Sequence, residues 1–115
     1  MGNVQTDNAN SSNFREFIET ENQSHQVVVW AKSYCGYCHE TIRLFQSIPN
    51  IDFKYINIDT DGHDGAGIQA ELLHMTGQRT VPNVFIQNQH IGGNDVVQRM
   101  NRNGKLTEAL AARKA

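Results

Sequence analysis

The sequence predicts a single α/β domain, a mixed four-stranded sheet with helices on both faces. Three observations carry this. Short β-branched or alternating apolar runs recur at residues 27–30, 52–58, 84–86 and 90–91. Stretches with apolar residues at helical spacing separate most of them. The 115 residues suit one core and not two.

Each element has its own warrant. Residues 1–12 (MGNVQTDNANSS) are almost purely polar and bury nothing that could offset the entropy of ordering, so they read as a disordered arm before a domain spanning 13–115. Ser12 can cap a helix carrying Phe14, Phe17 and Ile18, with Glu16 in its first turn. His25 to Lys32 contains Val27-Val28-Val29-Trp30, a strand buried on both faces. Ile42, Leu44, Phe45 and Ile48 place a helix from Tyr37 to Ser47 that Pro49 stops. Phe53, Tyr55, Ile56 and Ile58 mark a second strand, and strand-helix-strand at this length implies parallel pairing through a right-handed crossover. A helix from Gly67 to Met75 closes at Gly77. Val84-Phe85-Ile86 and His90-Ile91 form an antiparallel hairpin around Gln87-Asn88-Gln89, ending at Gly92-Gly93. From Asp95 the chain is helical, with a break at Gly104.

Composition narrows the function classes. Ten Lys and Arg against 12 Asp and Glu give a net charge of -2, too balanced for a polyanionic partner, so no nucleic-acid binding is expected. No apolar run reaches the length of a membrane span, and the first residues lack the basic start and apolar centre of a secretory signal. The expected location is cytoplasmic.

The 2 cysteines fall within one tetrapeptide, Cys35-Gly36-Tyr37-Cys38. A bond between them closes almost no loop and adds little stability, so redox chemistry or metal ligation is their use. Cys35 stands at or before the first turn of a helix, where free N–H groups and the positive end of the dipole favour a thiolate. Lys32 adds a nearby positive charge, and Cys38, one turn on, is less accessible. This permits attack by Cys35 on a disulfide, followed by displacement by Cys38 or a second thiol. Rival chemistries fit worse. His39 completes the C-x-x-C-H pattern of haem attachment, with Met75 or Met100 as a conceivable second ligand, but neither an export signal nor an unburied approach accompanies it. His25, His63, His74 and His90 lack zinc-ligand spacing, and Asp59, Asp61 and Asp64 lack the closing glutamate of a calcium loop, which leaves a solvated turn.

With CGYC, Thr80-Val81-Pro82 and Gly92-Gly93-Asn94-Asp95 in that order, the sequence over roughly residues 13–112 resembles a dithiol glutaredoxin of the CGYC type, in the thioredoxin-fold superfamily. The resemblance implies a thioredoxin-like fold and a glutathione-dependent thiol-disulfide oxidoreductase. Such an enzyme reduces protein-glutathione mixed disulfides and small disulfides. Its catalytic residues would be Cys35 as nucleophile and Cys38 as resolving thiol, with glutathione as co-substrate and glutathionylated proteins as partners. It further implies glutathione-binding residues: Lys32 and Tyr37 beside the sulfur, Gln69 and Arg79 at the glycyl carboxylate, Thr80, Val81 and a cis Pro82 along the cysteinyl part, and Gly93, Asn94 and Asp95 at the γ-glutamyl carboxylate. Two departures stand out. Gly36 replaces the proline common between the cysteines, and Asp95 is followed by Val96 where many members have Ser-Asp. Members with Gly or Ser at the first place sometimes assemble a [2Fe-2S] cluster between two subunits, with Cys35 as the metal ligand and glutathione from each. A cluster-bridged homodimer acting in cluster storage, transfer or sensing is therefore the alternative.

Met1-Gly2-Asn3-Val4-Gln5-Thr6 fits the M-G-x-x-x-[ST] pattern, so membrane association by N-myristoylation at Gly2 is the alternative to an unmodified tail. The tail is preferred, because short motifs match by chance and Asp7 adds no basic attraction to a membrane.

Overall fold

A computed structural model describes the backbone of residues 2–112 and the side chains from residue 13 onward. Met1 and the last three residues of the expected domain, 113–115, lie outside the described residues, as do the side chains of the arm. In chain order the elements are α1 (Gly2–Ser24), β1 (Val27–Ala31), α2 (Gly36–Gln46), β2 (Phe53–Asn57), α3 (Gly65–Thr76), β3 (Asn83–Ile86), β4 (Gln89–Gly92), α4 (Asn94–Arg102) and α5 (Lys105–Ala111).

The strands form one sheet in the order β2-β1-β3-β4. β1 runs parallel to β2, with Val29 opposite Tyr55, and antiparallel to β3, with Val29 opposite Val84. All five residues of β1 are buried, as a central strand covered on both faces requires. Alternate side chains then feed two cores. Val27, Val29 and Ala31 pack with Cys38, Ile42 and Phe45 of α2, Val97 of α4 and Leu106 of α5. Val28 and Trp30 pack with Ile18 of α1 and with Ile68 and Leu72 of α3. The mixed four-stranded sheet with helices on both faces is the predicted fold, and it is thioredoxin-like.

Three boundaries differ from the sequence reading. The backbone of α1 is helical from Gly2, so Ser12 lies inside the helix and does not cap it; no proline interrupts residues 3–12 to stop the helix from extending. The α3 helix starts at Gly65, because the Asp64 side chain accepts from the Gly67 N–H at 3.0 Å and caps it. The hairpin loop is two residues, Gln87 and Asn88, both at positive φ (52° and 61°), and Gln89 belongs to β4. Gly77 (φ 78°) closes α3 in the left-handed conformation as expected, and Gly104 (φ 83°) separates α4 from α5.

Candidate active site

The site forms where β1 ends, α2 begins and the loop before β3 crosses beneath them. Cys35 is the N-cap of α2, extended at φ -95° and ψ 114°, and its Sγ accepts the Cys38 N–H at 3.2 Å. A sulfur in this position occupies the place of a capping oxygen, so negative charge on it is met by a free helical N–H and the helix dipole. As a thiol, Cys35 points its hydrogen at the Val81 carbonyl, 3.7 Å away. Cys35 is half-buried and Cys38 fully buried; both are free thiols.

The two sulfurs are electrically unequal. Burial, then a hydrogen bond to Cys35 and its charge, pushes the Cys38 thiol up to about 12, against a smaller opposing pull from the Lys32 backbone and charge. Cys38 is therefore a thiol at neutral pH.

A groove of about 460 Å³ opens beside the pair, lined by Tyr37, Thr80, Val81, Pro82, Gly93, Asn94 and Asp95. The Val81–Pro82 peptide is cis. Tyr37 is 66% exposed, forming a wall with a free outer face. Gly93 is the N-cap of α4 and has no side chain to occupy the helix start, which leaves the first-turn N–H groups of Asn94 and Asp95 open to an anion. Seven of the ten expected glutathione-binding residues thus share one groove.

The other three sit around it. Lys32 is half-buried at the end of β1, and Arg79 is exposed in the loop before β3. Gln69, on α3, donates its amide to the Arg79 carbonyl at 2.7 Å, so its NH₂ secures the loop. The Asn94 side chain is likewise committed within the fold: its Oδ1 accepts from Thr41 Oγ1 at 2.7 Å, tying α4 to α2. Gly92, at φ 134°, has Val96 where a Cβ would lie (3.2 Å to its Cγ2), so its freedom serves helix packing more than ligand approach.

Two residues to which the sequence reading assigned no part in the site, Asp59 and His39, hold the loop that leads to the thiols. Asp59 is more than a solvated turn: its carboxylate accepts the Ser33 N–H at 2.9 Å and the Ser33 hydroxyl at 2.5 Å, holding the loop that delivers Cys35. Those two bonds, with a smaller contribution from the Lys32 charge, hold its carboxyl below the usual range. His39, at the surface, reaches back with Nε2 to the Ser33 carbonyl at 3.0 Å. A serine two residues before the first cysteine and an aspartate just after the second strand are the sequence signal, but nothing local pairs them. Among the described residues no cluster of three or more His, Cys, Asp or Glu is placed to hold a metal ion.

A thioredoxin-like sheet with a CxxC pair capping α2 defines a thiol-disulfide oxidoreductase. A family model described as Glutaredoxin matches residues 27–91. Glutaredoxin-C2 of Arabidopsis thaliana is 46% identical over 87 residues, covering 76% of this chain and 77% of its own. Glutaredoxin-1 of Saccharomyces cerevisiae is 41% identical over 88 residues, covering 75% and 80%. Among solved structures, a buckwheat glutaredoxin-glutathione complex superposes with a TM-score of 0.83 at 41% identity, over 89% of this chain and 91% of that one. The chain belongs to the glutaredoxin family and is a glutathione-dependent disulfide oxidoreductase.

Proposed function

We propose that the enzyme removes glutathione from protein-glutathione mixed disulfides and reduces small disulfides, with Cys35 as nucleophile and Cys38 as resolving thiol. The observation that carries this is the asymmetry of the pair beside a groove: one half-buried sulfur capping a helix, one buried sulfur held protonated. The Cys35 thiolate attacks the glutathionyl sulfur. A bond forms between the two sulfurs, the client-glutathione bond breaks, and the client leaves as a thiolate that takes up a proton. Glutathione then occupies the groove. Its backbone-like cysteinyl part lies along Thr80, Val81 and Pro82, with Lys32 and Tyr37 near the sulfur and Gln69 and Arg79 toward the glycyl end. Its γ-glutamyl carboxylate meets the α4 N-terminus at Gly93, Asn94 and Asp95.

Two exits follow. A second glutathione thiolate can attack the bound glutathionyl sulfur, giving glutathione disulfide and restoring the Cys35 thiolate. Alternatively, Cys38 loses its proton and attacks Cys35 Sγ, expelling glutathione as a thiolate and leaving a Cys35–Cys38 disulfide. Two glutathione molecules then reduce that disulfide. Once Cys35 carries glutathione it no longer presents a charge or a thiolate partner to Cys38, which removes two of the three causes that raise the Cys38 thiol. Cys35→Ser should abolish deglutathionylation of a glutathionylated peptide, and Cys38→Ser should retain it through the first exit. Substantial activity in Cys35→Ser would overturn the assignment.

The second reading is a [2Fe-2S] dimer, with Cys35 and glutathione from each subunit supplying the four sulfurs such a cluster requires. It is favoured by Gly36, which is exposed beside the half-buried Cys35 and where a Cβ would meet nothing within 4 Å apart from its chain neighbours and its own helix, leaving this end of α2 uncovered. Visible charge-transfer bands in an anaerobically purified dimer would support it; a colourless active monomer would remove it.

We place the domain at 13–115, because among the described side chains the partly buried Phe14 and Phe17 and the buried Ile18 join the core, and leave the polar residues 1–12 as an arm. A cytoplasmic location suits thiols that must be kept reduced. An intact mass without a myristoyl increment would dispose of the lipid at Gly2.

A further inference from the structure

We propose that Gln78 is a positioning residue for the glutathione groove, a side-chain clamp that fixes the Val81 backbone by holding the carbonyls on either side of it. This deepens the proposed deglutathionylation and rests on it. Gln78 lies between the end of α3 and the start of β3, outside the groove lining. Its Nε2 donates to the Thr80 carbonyl at 2.9 Å and to the Pro82 carbonyl at 2.9 Å. Both hydrogens of one planar amide are therefore spent on two peptide groups that flank Val81.

The clamp is itself fixed at both ends. The Gln78 main-chain N–H donates to Thr76 Oγ1 at 3.0 Å, and that hydroxyl donates to the Leu72 carbonyl at 2.7 Å, anchoring the residue to the last turn of α3. With both amide hydrogens engaged, Gln78 Oε1 is the acceptor toward His90 Nε2, 3.3 Å away on β4. This assigns the hydrogen of His90 to Nε2. The ring is kept in place by Phe85, with centroids 5.4 Å apart.

Gln69 and Gln78 together take the carbonyls of Arg79, Thr80 and Pro82, while the Val81 carbonyl faces Cys35 Sγ at 3.7 Å. Hydrogen-bond recognition of a peptide-like substrate depends on peptide planes held in one orientation before binding, since ordering them on binding costs affinity. Gln78 supplies that preorganisation without touching the thiols.

The test uses the full chain with Gln78→Glu and Gln78→Met, which keep the length of the side chain and remove both hydrogens at neutral pH. Substrate is a glutathionylated peptide, with glutathione as reductant, and Cys35 alkylation by iodoacetamide is measured in parallel. The expected result is a rise of about tenfold in KM for the peptide, as for two lost hydrogen bonds, with kcat and the alkylation rate within about twofold of the parent. An unchanged KM in either folded variant overturns the clamp while leaving the deglutathionylation reading intact. So does a matched fall in kcat and alkylation, which would put the damage at the thiol, or loss of folding in both variants, which would make Gln78 purely structural. A parent protein that does not turn over the peptide overturns the underlying reading, and the clamp with it.

Discussion

At the scale of single residues, the two sulfurs differ in exposure and in charge. Cys38 contributes nothing to solvent-exposed surface and stays protonated well above neutrality, whereas Cys35 is reachable and its sulfur receives a helical N–H. Limited iodoacetamide at pH 7 should modify Cys35 alone, and peptide mapping reads this directly; early label on Cys38 would contradict the asymmetry. The pair itself was legible in the sequence, because two cysteines three apart after an apolar strand have few other uses. Asp59 was not. Its bond to Ser33 joins residues 26 apart, and an aspartate in a run of turn residues is indistinguishable by composition from one facing water.

At the scale of elements, the site is a junction of three pieces whose packing leaves little slack. α2 is tied to α4 by Thr41 and Asn94, and the loop before β3 is held by Gln69 from α3. α3 in turn begins against the end of β2: a Cβ on Gly65 would stand 2.9 Å from the Ile58 carbonyl oxygen, a backbone atom that cannot move aside alone. Replacing glycine by alanine near a helix start ordinarily helps by up to about 1 kcal/mol, but here overpacking should dominate, at about 1–3 kcal/mol. Gly65→Ala should therefore lower the thermal midpoint by several degrees, and a midpoint at or above the parent's would show that this contact has room. Helix ends with a local signal could be read in advance, as at Gly77 and Gly104, where a left-handed residue is needed and glycine provides it. Those without one could not: the start of α1 has no breaker upstream of Ser12, and the two-residue turn at Gln87-Asn88 depends on two residues accepting positive φ without a glycine.

At the scale of the whole molecule, the sequence pattern announced a mixed sheet but not its order. That β3 pairs with β1 and leaves β2 and β4 at the edges is set by long-range packing of two cores, which no local window contains. The assembled fold also makes stability depend on pH. Asp59 is held below its ordinary 3.8 by the Ser33 bonds, so the stability it contributes is present above that value and lost as pH falls through the lower folded one. Burial lowers His90 below 6.5, so the unfolded chain takes up the proton first and stability declines as pH drops beneath 6.5. Cys38 acts in the opposite direction: the fold keeps a proton that the unfolded chain releases near 9.0, so stability is lost as pH rises from there toward about 12. Thermal midpoints measured from pH 4 to 10 should form a plateau between 6.5 and 9.0 with a decline on either side. Cys38→Ala should flatten the alkaline limb, and an unchanged limb would show that burial of this thiol does not govern it.

In the proposed reaction Cys35 takes the glutathionyl group, and not the client protein, from a mixed disulfide. Cys38→Ser removes the resolving thiol, so reacting it with a glutathionylated peptide in the absence of free glutathione and reading the products by intact mass and peptide mapping tests the claim directly. The expected product is a stable adduct of one glutathione on Cys35, with release of the reduced peptide. A peptide adduct at Cys35, or no adduct at all, would contradict it.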